Sequence, residues 1–183
     1  MNKHKFHGSV ERLRSPERLA KLDFDQVIAL SLADSAPANV LDVGAGTGVF
    51  AQAFAGRGLE VAGVDAREDM IALARQFVPQ GHFESAPAEA LPFADGAFDL
   101  VFLGLLLHEA DDALKVMEEA HRVSRQRGAS LEWPYIYEAE SQAGPPLADR
   151  LPQERVEALA RAAGLDNFEA LRLTHTVLYR LER

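Results

Sequence analysis

Between Val40 and Phe50 the chain reads VLDVGAGTGVF: a carboxylate, Asp42, stands two residues before the first of the glycines at 44, 46 and 48. Glycine inside an element costs about 0.5 to 1 kcal/mol relative to alanine, so such a cluster marks backbone that turns tightly or approaches a ligand closely. The dinucleotide fingerprint GxGxxG needs a glycine at position 49, where Val49 stands, so the spacing GxGxG argues against NAD. Asp42 lies near the end of an apolar run, where an unpaired carboxylate is costly. A cationic or amine-bearing ligand, or a backbone amide of the same loop, would satisfy it. A second acid, Asp65, ends the next apolar run; there a carboxylate can accept both hydroxyls of an adenosine ribose, or it can cap the helix beginning in AREDM.

These residues need a frame that sets loop 44–48 beside Asp65. From Asn39 onward, NVLDV, LEVAGVD, HFESA, FDLVFLGLL and ASLEWPYIY read as strands. Between them VFAQAFAGRG, EDMIALARQFV and DDALKVMEEAHRVSRQRG read as helices, the last with Gly128 as its stop. Pro152 opens a further helix that Gly164 closes, and FEALRLTHTVLYRLE reads as two closely spaced strands. This alternation predicts an α/β fold: a Rossmann-like, seven-stranded, mostly parallel sheet with an antiparallel last strand and helices on both faces. Ligands bind such sheets beyond the carboxyl ends of the strands, which is where GAGTG falls. Residues 1–36 differ, with scattered apolar positions and the cations Lys3, Lys5, Arg12, Arg14, Arg18 and Lys21; with Ser15 and Pro16 as a helix start, they read as a helical lead-in or lid.

The chain of 183 residues contains no cysteine, which removes disulfides, thiolate zinc sites and cysteine nucleophiles. A formal net charge of −9 argues against nucleic acid or an anionic membrane as partner. The expected compartment is the cytoplasm, since the start has no apolar segment behind its lysines and no stretch approaches a membrane span.

LDVGAGTG, Asp65 at the end of the next strand and AEALPFADGAFDLV before the fourth together resemble the class I S-adenosylmethionine-dependent methyltransferases, small-molecule branch, over roughly residues 38–183. HKF, SPERL, EW and GPPLADRL further resemble a short stand-alone bacterial and archaeal group of that branch. The resemblance implies a cofactor-binding methyltransferase domain over 37–183, with S-adenosylmethionine as cofactor and S-adenosylhomocysteine as product. Gly44, Ala45, Gly46, Thr47 and Gly48 would wrap the methionine part of the cofactor, and Asp42 would help orient its ammonium group. Asp65 would hold the ribose, Ala66 and Met70 would line the adenine, Ala88 and Glu89 would pass along its edge, and Leu103 with Gly104 would lie beneath the sulfonium. Family members commonly carry an acid where this chain has Pro87, so Ser85, Glu89 or a main-chain carbonyl must meet the adenine amino group. RQRGAS has one glycine where the family often has two, which predicts a changed turn and no lost strand.

For the acceptor side, His108 and Glu109 follow the fourth strand. His108 could take a proton from a hydroxyl or protonated amine, or could simply cap the next helix. Trp133, Tyr135 and Tyr137 alternate, so they could wall an acceptor pocket or pack under a helix, with Glu132 and Pro134 facing the other way. His4 and His7, with Lys3 and Lys5, could close over the cofactor carboxylate or remain a solvated terminus. The histidines at 4, 7, 108, 121 and 175 lack metal-ligand spacing, so no metal is expected. The chain also lacks the NPPY-like motif of nucleic-acid amino-methylating relatives, which favours a small-molecule acceptor. The reading is thus S-adenosylmethionine-dependent methyl transfer to a small molecule. The alternative is a catalytically silent module that binds S-adenosylmethionine or S-adenosylhomocysteine, or a partner subunit.

Overall fold

The computed structural model describes residues 10–134 and 144–182. Three helices lead in: α1 (Val10–Leu13), α2 (Pro16–Lys21) and α3 (Phe24–Leu32). Ser15 caps α2 by accepting the Arg18 N–H at 3.2 Å, and Pro16 occupies the first turn, as the Ser-Pro pair predicts. The sheet follows, with β1 (Asn39–Val43), β2 (Glu60–Asp65), β3 (His82–Ser85), β4 (Phe98–Gly104), β5 (Ser124–Glu132), β6 (Asn167–Arg172) and β7 (Val177–Glu182). Four helices connect them: α4 (Val49–Ala55), α5 (Glu68–Phe77), α6 (Ala113–Val123) and α7 (Gln153–Ala162). Strand order is β3-β2-β1-β4-β5-β7-β6, and β7 runs antiparallel to both its neighbours.

Alternation along the central strands divides the core between two faces. Leu41, Val43, Val101 and Leu103 pack with Met117 and Ala120 of α6 and Leu159 of α7. Val40, Leu100 and Phe102 pack with Ile28 of α3, Phe54 of α4 and Ile71 of α5. Each face buries a continuous apolar layer, the largest favourable contribution to folding available to such a sheet.

One boundary differs from the pattern reading. Helix α6 ends at Val123, and Gly128 lies within β5, opposite Val101 on one side and Leu181 on the other. Pairing decides this: Arg125 bonds Asp99 of β4 and Arg127 bonds Glu182 of β7, so the charged run is held along a strand. The expected changed turn before β5 is therefore a direct passage from helix to strand.

The lead-in is fastened at two ends. Asp23 Oδ2 accepts the N–H of His175 at 2.8 Å, the N–H of Thr176 at 3.1 Å and the Thr176 hydroxyl at 3.0 Å, tying α3 to the β6–β7 turn. Arg14 donates to the Thr47 carbonyl at 2.9 Å and to Gln52, while its guanidinium lies 3.8 Å over the Phe77 ring. Inside β1, Asp42 is 1% exposed and accepts the Ala51 N–H of α4 at 3.1 Å. Burial pushes its pKa up to about 7, against the Ala51 hydrogen bond and with a smaller push from the charge of Asp65.

Two outcomes follow for stability. Asp23→Ala removes a carboxylate with three donors and should lower unfolding free energy by about 2 kcal/mol in denaturant titration, with Asp23→Asn losing less. For Asp42, the folded state keeps its proton up to about pH 7 while the unfolded chain releases it at the ordinary carboxylate value of 3.8. Its contribution is thus full below the unfolded value and is lost as pH rises to about 7. Asp42→Asn should therefore raise Tm more at pH 8 than at pH 4.5; a difference independent of pH would show that Asp42 is not held protonated.

Candidate functional site

The turn from β1 into α4 is fastened to the end of β2. Gly44 and Ala45 both donate their N–H to the Val64 carbonyl at 2.9 Å, and Gly46 donates to Asp65 Oδ2 at 2.9 Å. Gly46 has φ +53, and a Cβ there would meet nothing within 4 Å, so the loop backbone is open on that side. Gly48 serves a different purpose. At φ +73 it begins α4, and a Cβ would come within 3.2 Å of Ala74, so its small size lets α4 close on α5.

Asp65 faces a cavity of about 970 Å³. Its Oδ1 accepts the Arg67 N–H at 2.9 Å, so each oxygen already has one backbone donor and keeps lone pairs for a ligand. It does not cap α5, whose N-cap is Arg67. Around this end of the cavity stand Ala66, Met70, Pro87, Ala88 and Glu89, with Gly44, Gly46 and Gly104 between it and the other end. Ser85 is not part of the wall, so of the two side chains considered for the adenine amino group the structure brings only Glu89 to it. Asp42, Ala45, Thr47, Gly48 and Leu103 lie behind the cavity surface. Asp42 answers to Ala51, Leu103 packs toward α6 and α7, and the buried Thr47 hydroxyl has no partner among the described residues.

The far end is built by the segment after β4. Leu105 adopts φ +59, a left-handed conformation uncommon for leucine, and its N–H is held by the Leu131 carbonyl at 2.8 Å. The strained turn delivers the short 3-10 helix Leu107–Glu109 against the end of β5. There Glu132, 1% exposed, accepts the Leu107 N–H at 3.0 Å and meets His108 Nδ1 at 2.6 Å. Burial opposes a charged imidazole, but the hydrogen bond and charge of Glu132, together with the charge of Glu109, outweigh it and the opposing charge of Arg150. His108 therefore holds its proton above the usual histidine range. Trp133 and His108 both line the cavity. Gly144 packs against the Trp133 indole, where a Cβ would sit 2.6 Å from the ring. Arg150 braces this wall by donating to the carbonyls of Pro134 and Pro145, each at 3.0 Å.

The structure thus brings Gly44, Gly46, Asp65, Ala66, Met70, Ala88, Glu89, Gly104, His108 and Trp133 around one cavity. His7 and Tyr135, like His4 and Tyr137, lie outside the described residues. Sequence reasoning set Glu132 aside as facing away from the aromatics, yet it meets His108. The available signal was an acid ending a buried strand, the same signal that marked Asp42 and Asp65. Arg12, Arg18 and Lys21 of the lead-in also reach the cavity, which makes α1 and α2 part of its wall. Among the described residues no group of side chains could hold a metal ion, and no helix is long and apolar enough to cross a membrane.

Comparison with known proteins agrees with this geometry. A methyltransferase-domain family model matches residues 41–131, from β1 into β5. The chain is 32% identical over 124 residues to the malonyl-[acyl-carrier protein] O-methyltransferase of Pseudescherichia vulneris, covering 68% of this chain and 49% of that protein. It is 36% identical over 89 residues to the demethylmenaquinone methyltransferase of Renibacterium salmoninarum, covering 49% of this chain and 38% of that protein. The chain therefore spans less than half the length of these curated relatives. Among solved structures, an S-adenosylmethionine-dependent methyltransferase from Aquifex aeolicus matches with a TM-score of 0.77 at 23% identity, over 94% of this chain and 95% of that one. Magnesium protoporphyrin IX methyltransferase from Synechocystis PCC 6803, solved with bound S-adenosylmethionine, matches with a TM-score of 0.70 at 18% identity, over 100% of this chain and 88% of that one. At those identities the structural matches speak to the fold alone. With the glycine loop, Asp65 and the sheet order in place, the chain belongs to the class I S-adenosylmethionine-dependent methyltransferases.

Proposed function

We propose that this protein transfers a methyl group from S-adenosylmethionine to a small-molecule acceptor. The observation that carries the reading is the continuity of the cavity, which joins the glycine loop and Asp65 at one end to His108 and Trp133 at the other. At about 970 Å³ it lies near the top of the range of about 300 to 1,000 Å³ usual for ligand sites, which leaves space for an acceptor beside a nucleoside. The wall suits the cofactor on its own chemistry. Asp65 offers free lone pairs to a ribose diol, Gly46 presents open backbone, and Met70 with Ala66 and Ala88 supplies an apolar slot for a base.

When bound, S-adenosylmethionine supplies a methyl group on a sulfonium, an electrophile that needs in-line approach more than acid–base help. The chain's part is to align and to exclude water, and alignment of this kind can contribute about 7 to 11 kcal/mol. Asp65 and the glycine loop fix one partner. The described part of the lead-in, residues 10–36, latched by Arg14 onto Thr47 and Gln52, acts as a lid over the cofactor-binding domain. Trp133, pressed against Gly144, walls the acceptor side, and His108 stands at the same end as the catalytic candidate. The relatives named for malonyl-[acyl-carrier protein] and demethylmenaquinone methylation support a metabolite acceptor without fixing which one. A silent module that only holds the cofactor or its product is the rival reading, since the acid otherwise found at Pro87 is missing.

Thermal unfolding tests the cofactor that both readings share. S-adenosylmethionine and S-adenosylhomocysteine should each raise Tm and NAD should not, because a ligand at about 100 times its Kd adds about 2.7 kcal/mol to the native state. Stabilisation by NAD alone would overturn the assignment. Asp65→Ala should weaken S-adenosylhomocysteine binding by at least about tenfold in calorimetry, through loss of charge-assisted hydrogen bonds to the ribose. Transfer of a labelled methyl group to members of a metabolite panel distinguishes an enzyme from a silent binder.

A further inference from the structure

We infer that Glu132 is a positioning residue that fixes the tautomer of His108, leaving Nε2 to take the proton of an acceptor hydroxyl. The inference rests on the methyl-transfer reading and deepens it by naming the acceptor class. Both side chains are withdrawn from water, with His108 at 5% and Glu132 at 1% exposure, and they meet at 2.6 Å through Nδ1. A carboxylate accepts only, so the proton of a neutral ring lies on Nδ1 and Nε2 keeps its lone pair. Glu132 is itself fixed, because its second oxygen takes the Leu107 N–H at 3.0 Å from the turn that carries His108. One carboxylate thus orients both the ring and the backbone beneath it.

Other charges around the ring are consistent with a base. Glu109 Oε1 lies 3.8 Å from Nε2 on the same turn, and the charge of Arg150, which precedes α7, opposes the imidazolium. Structural economy argues for function too. A pair of ionisable groups buried at the wall of a cavity is a poor source of stability compared with apolar packing. Leu105, held at φ +59 just before the turn, is a second local cost at the same place.

The chemistry selects the acceptor. A neutral amine attacks through its free lone pair and sheds its proton to water afterwards. A carboxylate or a thioether presents a lone pair with no proton to lose and has no use for a buried base. A hydroxyl does: as its oxygen lone pair forms the new O–CH₃ bond, the bonding pair of the broken C–S bond stays on sulfur and the hydroxyl proton passes to His108 Nε2. The resulting imidazolium is neutralised by Glu132 until the proton leaves to water. Atoms and charge balance without any further reactant.

The test reads the free protein first. In protein labelled with ¹⁵N-histidine, long-range ¹H–¹⁵N correlation should show neutral His108 with its proton on Nδ1 and a titration midpoint above that of free histidine, the His108 signals being assigned by their loss in His108→Asn. Glu132→Gln should lower that midpoint and mix the tautomers, while S-adenosylhomocysteine affinity and the far-ultraviolet spectrum stay unchanged. Among the acceptors found by labelled methyl transfer, hydroxyl compounds should dominate, with kcat/KM rising with pH through the His108 midpoint. Glu132→Gln should lower kcat by about 10²-fold with little change in KM, the size usual for general-base catalysis. A proton on Nε2, a midpoint indifferent to Glu132→Gln, or turnover confined to carboxylates with a flat pH profile would overturn the inference. Failure to bind S-adenosylmethionine or S-adenosylhomocysteine at all would instead overturn the methyl-transfer reading.

Discussion

The site depends on one carbonyl. Val64, the penultimate residue of β2, accepts the N–H groups of both Gly44 and Ala45 at 2.9 Å, and so pins the turn leaving β1 to the end of its neighbour. From that anchor the next amide, that of Gly46, falls on Asp65, and Asp65 is turned toward the cavity with its remaining valence free. A parallel sheet makes this arrangement available because every strand ends at the same edge, so a loop leaving one strand can be tied to the end of the next. The register β1–β2, with Val43 opposite Val64, puts the two ends level. A slip of one residue would turn Asp65 to the other face.

The same edge gathers three acids in buried or half-buried places, and each is used differently. Asp42 is enclosed within β1 and held by an amide of α4, so burial dominates and its proton is retained to about pH 7. Asp65 lies at the rim, where two amides order it and a ligand can reach it. Glu132 ends β5 under the 3-10 turn and holds an imidazole and an amide at once. Residue type and strand position are alike in the three cases; depth below the edge separates an acid that braces a helix from one that faces a ligand.

That distinction explains what could be read in the sequence. The strand–helix alternation, the mostly parallel sheet and the glycine loop were legible because period, glycine spacing and strand ends are local signals, and the two closing strands announced themselves by their short separation. The end of α6 was not, since RQRG looks like a helix terminus until Asp99 and Glu182 are known to flank it. Gly48 was grouped with the cofactor loop because its spacing fits, while its contact with Ala74 on α5 is a matter of helix packing that spacing does not encode. Glu132 escaped because its partner lies 24 residues away and the two meet only where β4 and β5 run side by side.

The lead-in gives the cavity a further wall and is fastened at two ends. At one end Asp23 is tied to the β6–β7 turn, on the α3 side of the sheet; at the other, Arg14 is tied to the glycine loop and to α4. Between these points α2 carries Arg18 and Lys21 into the cavity wall. Arg14, just after α1, grips the carbonyl of Thr47, the neighbour of Gly46 whose amide meets Asp65, so the lead-in and the glycine loop are tied directly together. Asp23 is the firmer tie, with three donors on one oxygen and the Phe24 ring 5.1 Å from Phe50 behind it. The lead-in is thus coupled to the glycine loop at Arg14 and fixed to the far turn of the sheet at Asp23, with α2 held against the cavity between them.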